Sequence, residues 1–377
     1  MARRVLIVAM LDSIHTARWL GQFKDEEIEF LLFPSSPHRR IRPELKTLMA
    51  SSGKARYRLQ FGGKWFALPL WFADKVFKNL FRSAILRSSI KKFRPDFVHA
   101  LELQNAGYLV LDSLPAIRAS KSRIISTNWG SDIYWFRRFQ KHELRLRNLL
   151  AASDFYSAEC HRDVALALDL GFNGKVLPVI PNAGGFEDDF LSRPMTPLRE
   201  RNVVAIKGYH GWVGRAKVAL AAVEMISESL AGIDIVVYSA NRSVVSMARR
   251  ISKKSGLKIT VHKKGALSHS QMLSLFESSR IYIGLSESDG ISTSLLEAMA
   301  MGTIPIQTST SCCDEWFNET GVSVTEISET AVAKAIERAL ELTETQSYSD
   351  RNREIIRTKA NAREITLAAK SFYDLDS

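Results

Sequence analysis

Cysteine is scarce in these 377 residues. Only Cys160, Cys312 and Cys313 occur, too few for a disulfide framework and without the spacing of a structural zinc site. Cys312 and Cys313 are neighbours and do not readily pair, so a reducing cytoplasm is the expected setting. Long apolar runs are missing too. Nothing approaches the roughly eighteen apolar residues of a membrane span, and the apolar stretch that starts at Arg3 is ended by Asp12 before it reaches the length of a secretory signal. There is no internal repeat and no low-complexity segment. No G-x-G-x-x-G follows the first strand-like segment, which argues against a dinucleotide dehydrogenase. No cluster of His or Cys stands at ligand spacing, so neither a metal nor another cofactor is expected.

Acid is what one segment lacks. The chain carries a net charge of +12. Between Arg39 and Arg94, fifteen Lys and Arg face only Glu44 and Asp74, which leaves the remainder near neutral. Trp65, Phe66, Trp71, Phe72, Phe77 and Phe81 are interleaved with those cations. Basic charge with aromatics fits an anionic membrane surface or a polyanionic acceptor. It fits equally well aromatics in a core beneath a solvated basic face. No nucleic-acid-binding motif accompanies the segment, so no nucleic acid is expected as partner.

What is present is an alternation of short apolar strands with helical stretches, an α/β pattern long enough for two domains. Strands are expected at Val5–Met10, Ile28–Pro34, Asp96–Leu101, Arg123–Thr127, Phe155–Ala158 and Val176–Ile180. After a polar linker holding Pro194 and Pro197 the pattern restarts, with strands at Val203–Ile206, Ile233–Tyr238, Ile259–His262, Ile281–Leu285 and Thr303–Thr308. Helices are expected over about Trp65–Lys92, Ala216–Leu230, Ser268–Ser278, Ser294–Met301, Glu329–Leu342 and Asp350–Phe372.

One stretch organises the rest. From Ile281 an apolar strand runs into a loop of small polar and acidic residues, Ser286 to Ser292. There Ser292 or Thr293 can cap a helix rich in Leu, Ala, Met and Glu, closed by Gly302. Strand, glycine-containing loop, helix and next strand make half of a doubly wound unit, whose loop offers free amides and a helix dipole to phosphate. Two carboxylates mark it, Asp289 in the loop and Glu297 inside the helix. A carboxylate among Leu296, Ala298 and Met299 can accept both hydroxyls of a ribose. A second candidate is the loop from Lys207 to Arg215, where Gly208, Gly211 and Gly214 permit close backbone approach and the two cations offset diphosphate charge.

The string Leu296-Glu297-Ala298-Met299-Ala300-Met301-Gly302-Thr303-Ile304-Pro305, preceded by Asp289-Gly290-Ile291-Ser292, resembles the signature of retaining glycosyltransferases. They are those of the GT-B fold in glycosyltransferase family 4, or group 1, which includes sucrose synthases and bacterial mannosyltransferases. Asp289 stands where that family has Glu, and Ser292 where it has a second Gly. Pro181-Asn182-Ala183-Gly184 resembles the turn that ends the family's first domain. Trp129 occupies the histidine position of its His-Gly-x-Asp, with Gly130 and Asp132 retained.

The resemblance implies two Rossmann-like domains facing a cleft. An acceptor-side domain is expected over 1–190, a nucleotide-sugar domain over 191–355, and a last helix, 356–377, packing back on the first domain. It implies transfer of a sugar from a nucleotide-sugar to a glycan or lipid-linked acceptor with retention and without metal, in bacterial surface-polysaccharide synthesis. Asp289 would then contact sugar hydroxyls, and Lys207 and Arg215 the diphosphate. Gly208, Gly290, Ser292, Thr293 and Ser294 would line the phosphates, Glu297 the ribose and Lys264 the nucleobase side. His15, Arg18, Asp132 and Glu159 would face the acceptor. A catalytically silent sugar-nucleotide-binding or scaffold protein and a nucleotide-sugar epimerase are the alternatives.

The charged segment yields a prediction of its own. Cations near an anionic bilayer contribute about 1 kcal/mol each, so the protein is expected to cosediment with anionic vesicles at low salt and to leave neutral ones. Charge reversal at several of Arg56, Arg58, Lys64, Lys75 and Lys78 should abolish that binding while donor affinity stays unchanged. A parent protein that ignores anionic vesicles at low salt removes the membrane reading.

Overall fold

The computed structural model describes residues 2–36, 41–60, 72, 76 and 79–375. Lys64, Trp65, Phe66, Trp71, Lys75, Phe77 and Lys78, and with them the first part of the helix expected over Trp65–Lys92, lie outside the described residues, and a helix forms over Leu80–Phe93. The chain divides into two compact units, Met1–Gly185 with Arg363–Ser377, and Phe186–Ala362.

The first unit is built on seven strands: β1 (Arg3–Ala9), β2 (Ile28–Pro34), β3 (Arg56–Leu59), β4 (Phe97–Leu101), β5 (Arg123–Thr127), β6 (Phe155–Ser157) and β7 (Lys175–Val176). All pair in parallel, in the order β3-β2-β1-β4-β5-β6-β7. A parallel sheet with helices on both faces is apolar along each whole strand, and β1 shows the division. Leu6 and Val8 pack with Leu31, Phe33 and Leu86 on one side, while Val5, Ile7 and Ala9 pack with Trp19, Phe30 and Phe97 on the other. β7 is shorter than the expected Val176–Ile180, because Pro178 and Pro181 lack the amide that a ladder needs.

β3 was hidden in the basic segment. It is an edge strand whose Arg58 reaches Glu29 on β2 at 2.9 Å. Arg82, another of the fifteen cations, is buried and donates to the Ser35 carbonyl and to Asn79 Oδ1. Some of the excess positive charge is therefore used inside the fold. Phe72, Val76 and Phe81 are exposed.

The second unit repeats the plan with β8 (Val203–Lys207), β9 (Asp234–Ala240), β10 (Ile259–Lys263), β11 (Ser279–Gly284), β12 (Ile304–Thr308) and β13 (Val322–Val324). Its parallel order is β10-β9-β8-β11-β12-β13. Val204, Ile206, Ile281 and Ile283 face one apolar layer, and Ala205 and Tyr282 face the other. In both sheets the order reverses between the first strand and the fourth, and the crevice beyond the carboxyl ends there is where doubly wound sheets bind ligands. Among the described residues no helix is long and apolar enough to cross a membrane.

The chain's end departs from a single helix over Asp350–Phe372. Two helices form, Gln346–Lys359 and Ala362–Ser371. Phe186 breaks the run by pairing with Asn361 as a short parallel bridge: its amide donates to Ala360 O at 2.8 Å, and Ala362 N donates to its carbonyl at 2.9 Å. Those groups cannot also serve one continuous helix. The returning segment accordingly begins at Arg363, and the linker joins the second unit from Phe186, against the expected limits of 355/356 and 190/191.

That returning segment anchors itself in the first unit through Tyr373, which is fully buried. Its hydroxyl accepts from Trp19 Nε1 at 3.1 Å and meets His99 Nδ1 at 2.7 Å, while His99 Nε2 meets Thr127 Oγ1 at 2.6 Å. Burial pushes His99 down to about 3, so the ring is neutral and has one N–H. With Trp19 donating to the Tyr373 oxygen, the tyrosine proton goes to Nδ1, and Nε2–H donates to Thr127.

Because the folded state disfavours the charged imidazole, an unfolded chain takes up a proton that the folded one refuses below about pH 6.5. His99 therefore leaves stability intact above that pH and subtracts up to about 1.4 kcal/mol per unit as pH falls toward 3. Urea unfolding at pH 7.5 and 5 should show a loss of about 2 kcal/mol that His99→Gln lacks. Tyr373→Phe, which leaves the Trp19 and His99 nitrogens unpaired, should cost about 1–3 kcal/mol at pH 7.5. Equal pH slopes in parent and His99→Gln would contradict this account.

Candidate functional site

In the second unit the switch point falls between β8 and β11. β8 ends at Lys207, and Gly208 turns the chain so closely against β9 that its amide donates to Tyr238 O at 2.7 Å. A Cβ on Gly208 would stand 2.7 Å from that carbonyl oxygen and 2.8 Å from Ala240 Cα, so the turn requires glycine. The loop then folds back onto the segment after β11: Arg215 N donates to Leu285 O at 3.0 Å and Glu287 N to Val213 O at 2.9 Å. Arg215 closes this clamp, with Nε on Glu287 Oε1 at 2.9 Å and a terminal nitrogen on the carbonyls of Gly211 and Gly214. From the other side Thr308 at the end of β12 holds Ser286 through both its amide and its carbonyl.

The result is a fixed loop leading into the helix Thr293–Ala300, with Ser292 at its N-cap. Ser292 is the residue type that ordinarily accepts from a first-turn amide, but its hydroxyl makes no such bond. It lies 3.0 Å from Lys207 Nζ instead. A cation thus stands at the positive end of a helix dipole, where an anion is the stabilising partner.

Beneath it lie two buried tyrosines, Tyr238 and Tyr282, whose hydroxyls interact with Ser294 and Ser292 respectively and with each other. Burial raises both phenols, so they are neutral donors. Gln307 Oε1 is buried without a hydrogen-bond partner.

Asp289 is half-buried, and its Oδ1 accepts from Gly290 N at 3.0 Å. Thr293 and Ser294 form the half-buried first turn. Glu297, one turn on, is nearly inaccessible, and its Oε1 lies 2.8 Å from His269 Nε2. Lys264 is exposed in the loop after β10. The structure thus brings Lys207, Gly208, Gly290, Ser292, Thr293, Ser294 and Glu297 to one end of the second sheet. Arg215 is there too, but as the clamp of the glycine-rich loop. His269, Tyr238 and Tyr282 were not foreseen: their partners lie far off in sequence, and nothing local marks them.

In the first unit, His15, Trp129, Asp132 and Glu159 follow the carboxyl ends of β1, β5 and β6. Ser13 caps the helix Ile14–Gly21 by accepting from His15 N at 3.2 Å, and the imidazole lies edge-on to Trp129 with centroids 5.7 Å apart. The Trp129 indole N–H is buried without an acceptor. Arg18 sits one turn further on, half-buried.

Asp132 is buried, and its Oδ2 accepts from Leu103 N at 2.8 Å and Trp129 N at 3.1 Å, tying the loops after β4 and β5 together. Glu159 Oε1 accepts from Asn182 N at 3.0 Å. Glu102, just after β4, adopts φ 107°, strained for a residue with a Cβ, and its carboxylate accepts from the Asn105 and Ala106 amides. Burial raises Glu102 and, together with the charge of Glu102, raises Asp132 well above the usual carboxylate range.

Comparison with known proteins agrees with this architecture. No curated protein sequence matches the chain. Solved structures similar over nearly the whole length include Anabaena HepE in complex with UDP-glucose (12% identity, 98% of each chain, TM-score 0.68). A glycosyltransferase from Rickettsia africae is another (14% identity, 99% of this chain and 98% of that one, TM-score 0.69). Sucrose-phosphate synthase from Thermosynechococcus elongatus is a third (13% identity, 98% of each, TM-score 0.69). Residues 199–355 match the family Glycosyl transferases group 1, and residues 4–158 match the family Glycosyl transferase 4-like. With one match on each unit and the fold shared throughout, the chain is a GT-B glycosyltransferase of the group 1, family 4-like kind.

Proposed function

We propose that this protein transfers a sugar from a nucleotide-sugar donor to a glycan or lipid-linked acceptor, with retention of configuration and without a metal ion. The observation that carries the reading is the Lys207 ammonium at the N-cap hydroxyl of the Thr293–Ala300 helix. Helix amides and a lysine converge where the negative charge of a departing nucleoside diphosphate would develop, and such preorganised donors act most strongly there. Among the similar structures, HepE is described in complex with UDP-glucose, which supports the donor class.

In this scheme the bond between the anomeric carbon and the diphosphate oxygen breaks while the acceptor oxygen bonds to the same face of that carbon. The acceptor proton passes to the departing phosphate oxygen, so no strong protein base is needed. Glu297 holds the ribose hydroxyls and Asp289 the sugar. Arg215 acts by keeping the glycine-rich loop closed over the phosphates. Because the charge stabilisers are protein cations and amides, transfer does not call for a divalent ion. His15 and Arg18 in the first unit meet the acceptor, and the setting that fits a lipid-linked acceptor is surface-polysaccharide synthesis at the inner face of a membrane.

Radiolabelled nucleotide-sugars incubated with the protein and with lipid or glycan acceptors test the reading. Lys207→Ala should slow transfer by roughly ten- to a thousandfold, the loss seen when one preorganised donor is removed. Glu297→Ala should weaken donor binding by about 2–4 kcal/mol if both charge-assisted bonds are lost, with an unchanged melting profile. Activity should persist in EDTA. Unaltered turnover in Lys207→Ala, or activity lost in EDTA and restored by magnesium, would overturn the corresponding part.

A further inference from the structure

Glu297 is an expensive residue to bury. Its side chain is only 5% exposed, in a helix whose neighbouring positions are Leu295, Leu296, Ala298 and Met299. A charged carboxylate persists in such surroundings only with strong hydrogen bonds. His269 supplies one, with Nε2 at 2.8 Å from Oε1.

The base from which His269 reaches is stiff for its own reasons. It is the first residue of the helix His269–Ser278, whose N-terminus is fixed by a complete capping box. Ser268 Oγ accepts from Gln271 N at 3.2 Å, and Gln271 Oε1 accepts from Ser268 N at 2.8 Å. The helix does not need the imidazole for its own capping. Nor is the ring held there by burial, since the side chain is 55% exposed. It projects from the end of the loop that follows β10 and meets the carboxylate across a separation of 28 residues.

This geometry leaves the carboxylate usable. An ionised carboxylate oxygen accepts more than one hydrogen bond, so Oε1 can keep His269 while both oxygens face a vicinal diol. The imidazole bond removes the freedom of the carboxylate to rotate about its terminal torsion, which is otherwise broad. A carboxylate fixed in one plane reads two adjacent hydroxyls together, whereas a rotating one reads either singly. We propose that His269 is a positioning residue that orients Glu297 to accept the 2′- and 3′-hydroxyls of the donor ribose. Preference for ribonucleotide over 2′-deoxyribonucleotide donors then depends on it. The proposal rests on Glu297 being the ribose-binding group.

Calorimetric titration of the full chain with UDP, GDP and ADP, each beside its 2′-deoxy counterpart, first finds the base that binds and the ribose preference of the parent. For that base, His269→Ala should raise the dissociation constant of the ribonucleotide about tenfold, equivalent to one hydrogen bond. The deoxynucleotide constant should stay within about twofold, so the preference collapses. His269→Gln places an amide N–H near the Nε2 position and should restore most of the preference.

In transfer assays the donor KM should rise in His269→Ala while kcat changes little. A merely structural role would instead lower the melting temperature and shift both nucleotides alike. Equal weakening of ribo- and deoxynucleotide, or a Gln variant as impaired as the Ala variant, overturns the proposal. Glu297→Gln separates the two levels. If it leaves the ribose preference intact, the assignment of Glu297 fails and this proposal with it. If it abolishes the preference while His269→Ala does not, only the role of His269 falls. Absence of binding by every nucleotide overturns both.

Discussion

A lysine ammonium facing the positive end of a helix is an electrostatic arrangement that the second unit must hold in place by other means. Lys207 and the N-terminus of Thr293–Ala300 repel one another weakly, and the Ser292 hydroxyl mediates between them. Three devices keep them together. Gly208 lets β8 turn against β9 with no side chain in the way. The Arg215–Glu287 pair locks the glycine-rich loop onto the segment after β11, and Thr308 pins that segment from β12. What remains is a rigid electropositive spot whose natural complement is an anion. Tyr238 and Tyr282 lie buried beneath it as neutral phenols tied to Ser294, Ser292 and each other.

The first unit uses its polar interior differently. Asp132, Glu102 and Asp163 are buried carboxylates, each engaged by backbone amides or by neighbouring side chains. Their work is to join loops at the carboxyl end of the sheet, and burying them raises their proton affinity. The strain at Glu102 is tolerated because its side chain satisfies two amides of the π-helix Leu103–Gly107 that follows. Tyr373 closes the unit from the other end of the chain by joining Trp19, His99 and Thr127 in one buried relay. Stiff loops set His15 and Trp129 side by side at the sheet's carboxyl end.

Much of this architecture was legible in the sequence because both sheets are parallel and covered on both faces, which makes their strands apolar throughout. Ile28–Pro34 and Arg123–Thr127 were readable to the residue. β3 was not, since Arg56 and Arg58 break the apolar pattern of an edge strand that faces solvent. The single long helix expected over Asp350–Phe372 failed for a different reason: its break comes from Phe186, more than 170 residues earlier. The Asp132 carboxylate, read as facing an acceptor, is committed to the amides of Leu103 and Trp129. No property of the string Trp129-Gly130-Ser131-Asp132 reveals that.

By itself the sequence determined the period, the alternation of strand and helix that restarts after the linker, the glycine positions and the placement of Glu297 inside an apolar helix. These are local properties, written in residue type and spacing. Tertiary structure alone decided which polar groups meet. Lys207 finds Ser292 across 85 residues and His269 finds Glu297 across 28, while Tyr373 finds His99 across 274. The physical reason is that a hydrogen bond depends on position to within a few tenths of an ångström. That position is set by how strands order themselves in a sheet, and the chain fixes it only once the whole core has packed.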